Sequence, residues 1–135
     1  MKKVIKRYQN DVADWLAQAE EDVRWAEYNL AGDFYSRVCF ISQQIAEKGL
    51  KAYLLSQNQA VPKTHSLPIL LKHSLSGSSQ FKKFVKDAAL LDLYYTQTRY
   101  PTLGPKGDYS RKEAADALRR AKEILNFIKK EITRE

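Results

Sequence analysis

Apolar residues that return every three or four positions dominate this chain, and that period points to helix throughout. Val12, Trp15, Leu16, Ala19, Val23, Ala26 and Leu30 mark a first helix from about Asp11 to Ala31. The Ala-Gly-Asp at 31–33 ends it, with Gly32 expected in the C-terminal cap and Asp33 expected to cap the next helix through its side chain. That second helix is expected to reach about Gln57, with Phe34, Val38, Ile41 and Ile45 on one line and Cys39, Ala46, Leu50, Tyr53 and Leu54 beside it. An apolar stripe so wide packs on two sides.

Polar residues and Pro62 make 57–66 a loop, and Ser66 can cap a short third helix that tolerates Pro68 in its first turn. The run Ser-Leu-Ser-Gly-Ser-Ser breaks it. A fourth helix is expected from about Ser79 to Thr98, carrying Phe81, Phe84, Val85, Ala88 and Leu91, and Pro101 forces its end near Tyr100. The last helix opens on Ser110 with Glu113 three residues on, a capping box, and its core line is Ala114, Ala117, Leu118, Ala121, Leu125, Ile128 and Ile132. Nothing alternates with strand period over a useful length. Four long one-sided helices and one short one predict an all-α, antiparallel four-helix bundle. The whole of 1–135 reads as one domain with its core at about 11–132 and a basic lead-in at 1–10.

At 135 residues and 44% apolar, the chain can bury a real core. No apolar run approaches the roughly 18 residues that span a bilayer, and the N-terminus lacks the hydrophobic stretch of a signal peptide, so a cytoplasmic protein without membrane attachment is expected. The lone Cys39 sits in an apolar stretch and reads as a small buried hydrophobe. Two histidines, one cysteine and no carboxylate at ligand spacing leave metal binding without support, and no cofactor is expected. The phosphate loop, the dinucleotide fingerprint, the zinc-protease motif and the hydrolase nucleophile elbow are all missing. The formal charge of +7 favours an anionic partner, although most single charges read as solvated helix faces.

Two groups of residues suit phosphate and base recognition. On the second helix Gln44, Lys48 and Lys51 share a face, and Gln43, Glu47 and Lys51 share another, the simplest reading of which is a Glu47–Lys51 surface pair. On the fourth, Asp92, Tyr95 and Arg99 line up beside Tyr94 and Thr98, with Tyr100 next. Tyrosine offers a stacking face and a hydroxyl, and arginine a fork for phosphate, while Tyr94 and Tyr95 read equally as core residues with satisfied hydroxyls.

The order of four segments carries a resemblance: the tryptophan-bearing first helix, the Q-Q-x-x-E-K-x-x-K-A stretch from Gln43 to Ala52, T-H-S-L at 64–67 and T-R-Y-P at 98–101. From about Asp11 to Lys129 the chain resembles the HEPN domain family, named for higher eukaryotes and prokaryotes and for nucleotide binding. The resemblance implies a helical bundle that forms a homodimer, binds nucleotide or RNA, and is often paired with a minimal nucleotidyltransferase in a toxin–antitoxin-like unit. Many relatives cleave RNA without metal through R-x4-6-H. Here the positions that would carry that histidine after Arg99 are Gly104, Pro105 and Lys106, so no catalytic residue is assigned. The expectation is a non-catalytic nucleotide- or nucleic-acid-binding protein whose ligand meets Lys48, Lys51, His65, Tyr94, Tyr95, Arg99 and Tyr100. The alternatives are a ribonuclease with an atypical site built on Arg99, His65 and a tyrosine, and a helical protein–protein interaction module.

Overall fold

A computed structural model of the chain describes Val4, residues 6–99 and residues 108–134, with the side chains of residues 6, 7 and 97–99 outside that description. Five α-helices follow one another: α1 (Lys6–Ala31), α2 (Tyr35–Ser56), α3 (Leu67–Ser74), α4 (Val85–Arg99) and α5 (Arg111–Thr133), with a 3-10 segment at Ser79–Phe84 leading into α4. No strand occurs among the described residues. Helix α2 is the centre of the bundle, packed most extensively on α1, then on α5, and also on α3 and α4. The wide apolar stripe read from its sequence is the cause, and Ile41, Ile45, Leu50 and Leu54 are fully buried in it. Each such side chain contributes on the order of 1.5–3 kcal/mol of burial.

Two caps sit where the sequence places them. The Ser66 hydroxyl accepts from the Ile69 amide at 3.3 Å with Pro68 in the first turn of α3. At α5 the Ser110 hydroxyl accepts from the Glu113 amide at 3.1 Å while the Glu113 carboxylate accepts from the Ser110 amide at 3.0 Å.

The α1–α2 corner corrects three expectations. The left-handed residue is Asp33, at φ 68°, and not Gly32. The Phe34 amide returns to the Asn29 carbonyl at 2.9 Å and the Asp33 amide to the Leu30 carbonyl at 3.2 Å, the paired bonds that close a helix around a left-handed residue. Asp33 therefore ends α1 instead of capping α2. Phe34 takes the N-cap position, outside the helix and 63% exposed, so it does not continue the α2 core line.

The fourth helix differs too, because its expected first turn is the 3-10 segment. Its tighter winding eclipses residues three apart, so Phe81 and Phe84 both point inward. Ser78 accepts from the Gln80 amide at its start. Gly77, just before, lies against the Tyr53 hydroxyl so closely that a β-carbon would collide with it.

Candidate functional site

Gln43, Glu47 and Lys51 lie at four-residue intervals on α2 and form one row on the side that faces the 57–66 loop. Glu47 is its centre and is 4% exposed, so the pair with Lys51 is not the surface pair its sequence suggested. Three donors converge on it. Lys51 Nζ donates to Oε2 at 2.8 Å, Gln43 Nε2 donates to Oε1 at 3.2 Å, and His65 Nδ1 lies 3.2 Å from Oε1 and 3.1 Å from Oε2. Burial pushes the Glu47 carboxyl up, but the hydrogen bonds from Lys51, His65 and Gln43 with the Lys51 charge outweigh it and hold the group below its ordinary value. An ionised carboxylate only accepts, so Nδ1 of His65 carries the proton and Nε2 stands on the far side of the ring. That side chain is 59% exposed.

The loop is tied down around this histidine. Gln43 Nε2 also donates to the His65 carbonyl at 3.1 Å, the Thr64 hydroxyl accepts from the Ser66 amide at 3.0 Å, and Asp92 Oδ1 on α4 accepts from the Leu67 amide at 2.9 Å. Tyr95, three residues after Asp92 and so on the same face of α4, stacks on the His65 ring at 5.0 Å between centroids and 16° between planes. Phe40 approaches Tyr95 from α2 at 6.3 Å. Lys51 also sits 5.5 Å from the centre of the Trp15 ring on α1. The outcome is a polar cluster with aromatic walls, built from three helices and an anchored loop.

Of the residues selected from sequence, Lys51, His65 and Tyr95 meet here. Lys48 is turned toward α1, where its ammonium lies 2.7 Å from Asp22 Oδ2, a carboxylate with only 12% of its side chain exposed. Tyr94 is not part of the cluster. The helix turns it into the core, 6% exposed and edge-on to Tyr109 at 5.7 Å, where burial chiefly pushes its hydroxyl up to about 12. The Arg99 side chain and all of Tyr100 lie outside the described residues. Sequence reading missed Glu47 as the hub, Gln43 as the clamp and Asp92 as the pin. The common face of Gln43, Glu47 and Lys51 was the available signal, but nothing local showed that a loop 18 residues on would cover it. Among the described residues no group of three or more histidines, cysteines, aspartates or glutamates could hold a metal ion, and no helix is long and apolar enough to cross a membrane.

The sequence model of the HEPN domain matches residues 12–132. The chain belongs to the HEPN domain family. Two solved structures resemble this HEPN chain along nearly their whole lengths. TT1696 from Thermus thermophilus is 37% identical over 91% of this chain and 99% of its own, with a TM-score of 0.84. ST0689, an archaeal HEPN homologue, is 33% identical over 98% of this chain and 99% of its own, with a TM-score of 0.75. No curated protein matches the sequence.

Proposed function

We propose that this HEPN protein binds the phosphate of a nucleotide or nucleic acid at the His65 cluster, beside the aromatic wall of Tyr95 and Phe40. The observation that carries the reading is the fixed orientation of His65: Glu47 takes Nδ1, Tyr95 takes one ring face, and Nε2 is left on the exposed side. A held imidazole on a half-exposed side chain, with no hydrogen bond to Nε2 among the described residues, suits ligand recognition. Arg99 follows Tyr95 by one helical turn, which makes it the natural bidentate partner of the same phosphate.

Calorimetric titration with a panel of nucleotides and short oligonucleotides tests this. Arg99→Ala is expected to weaken binding by about 1.5–3 kcal/mol and Arg99→Lys to recover part of that, because lysine keeps the charge and loses the planar fork. Failure of every panel member to bind better than millimolar defeats the proposal.

One observation supports the ribonuclease alternative despite the missing R-x4-6-H. A carboxylate that fixes the imidazole tautomer is how a histidine is set up to take a proton, here from a ribose 2′-hydroxyl at Nε2. Metal-free cleavage of RNA that disappears in His65→Ala would favour it over simple binding. Assembly into a homodimer is proposed as well, supported by the exposed apolar residues Val85 and Leu93 on α4 and Ile69 on α3. Sedimentation that finds only a 15.6 kDa species at micromolar concentration would remove it. Pairing with a nucleotidyltransferase belongs to the same proposal and is tested by co-purification with such a partner.

A further inference from the structure

An anion needs a counter-charge, and both lysines of this stretch of α2 are already engaged. Lys51 lies 2.8 Å from Glu47 and Lys48 2.7 Å from Asp22, and both carboxylates are largely buried. Diverting either ammonium to a ligand would strand a buried carboxylate, a cost of several kcal/mol. Of the other described charged groups around the ring only Lys63 is a cation, and the side chain of Arg99, proposed above for the same phosphate, lies outside the described residues. On α4, Asp92 is negative and holds the Leu67 amide, and Tyr95 is a neutral ring. Lys63, two residues back in the loop, is exposed. With His65 neutral, its described neighbours Glu47 and Lys51 cancel, and the outward Nε2 presents a lone pair that would repel a phosphate oxygen.

We infer that the site takes its phosphate together with one proton, which passes from the solvent buffer to Nε2 of His65. No other bond changes. In the liganded state both ring nitrogens donate, Nδ1 to Glu47 and Nε2 to a phosphate oxygen, so the imidazolium bridges a buried anion and a bound one. Glu47 stabilises that cation at contact distance, and the parallel Tyr95 ring adds the attraction of an aromatic face for positive charge. The arrangement makes binding tighter as pH falls. The inference rests on the phosphate-site reading above and adds His65 itself to the positive charge that Arg99 is proposed to bring.

The test uses the whole chain and a six-nucleotide deoxyadenylate without a terminal phosphate. Its diesters keep their charge near neutral pH, and the missing 2′-hydroxyl prevents cleavage. Calorimetry at about pH 6 and about pH 8, on either side of the range where histidine ordinarily titrates, is run in buffers of contrasting ionisation heat. Affinity is expected to fall by tenfold or more between the two, with net proton uptake on binding at the higher pH. The chain has two histidines, so imidazole proton signals give a second readout: the ligand should shift the His65 titration upward and leave that of His73 in place. His65→Gln should bind no better at about pH 6 than at about pH 8. Glu47→Gln, checked for folding by circular dichroism, should release Lys51 and flatten the pH dependence by strengthening binding at the high end. Equal affinity at both pH values with no proton uptake overturns the inference and leaves the binding site standing. No binding by the wild type at either pH removes the phosphate reading itself and the inference with it.

Discussion

Two positions on α2, two residues apart and on nearly opposite sides of the helix, show two ways of building an interface. At Gly49 the helix meets α5 with no side chain of its own. A β-carbon there would stand 3.2 Å from Ile128 Cδ1 and 3.3 Å from Leu125 Cδ1, so the contact is a dry fit of shapes. At Glu47 the helix meets the 57–66 loop through a buried carboxylate that collects three donors, one of them His65, on whose ring Tyr95 of α4 stacks. The first interface gains from every methyl group it excludes from water. The second must recover the desolvation of a charge before it gains anything, and its retention needs a reason beyond stability. The recognition proposed at His65 supplies that reason.

Breaking the dry side should have the largest effect. Ile128 is fully buried against Gly49, and Ile128→Ala is expected to cost about 2–5 kcal/mol in urea unfolding, by the same amount at neutral and acid pH. A loss under about 0.5 kcal/mol would mean that α5 does not seat on α2 as described. On the polar side Glu47→Gln keeps the shape and removes the charge, at a cost of about 1–3 kcal/mol near pH 7. Its signature is pH dependence. Glu47 titrates lower in the folded chain than in the unfolded one, so its contribution is complete above the ordinary value of 4.5 and is lost as pH falls through the lowered folded value. The gap between wild type and Glu47→Gln should therefore narrow on acidification below about pH 4.5, whereas the Ile128→Ala gap should not. A gap that stays constant through that window would show that the carboxylate is not held by charged donors.

The dry side was legible in sequence because core burial writes itself locally. A helical period needs only its own residues, and the serines at 66 and 110 act on amides within the next turn. The corner at 31–34 was misread because Gly32 and Asp33 can both take the left-handed position, and the choice between them is made by the returning amides of Asp33 and Phe34. The site was half legible. Lys51, His65 and Tyr95 drew attention by type, but Glu47 looked like a solvated partner of Lys51 because its covering loop and the α4 tyrosine come from elsewhere in the chain. Tyr94 and Tyr95 could not be told apart by composition. One helical step of rotation puts the first in the core and the second on His65.

The most direct test of the central claim, that the fold spends a buried charge on holding His65 for a ligand, is to measure stability and binding on one variant, His65→Ala. The ring is 59% exposed, so its loss is expected to cost under about 1 kcal/mol in urea unfolding. Binding of the six-nucleotide deoxyadenylate at about pH 6 is expected to weaken by tenfold or more. A variant that loses about 3 kcal/mol of stability and binds as well as wild type would show that the cluster exists to pin the loop, and would contradict the account.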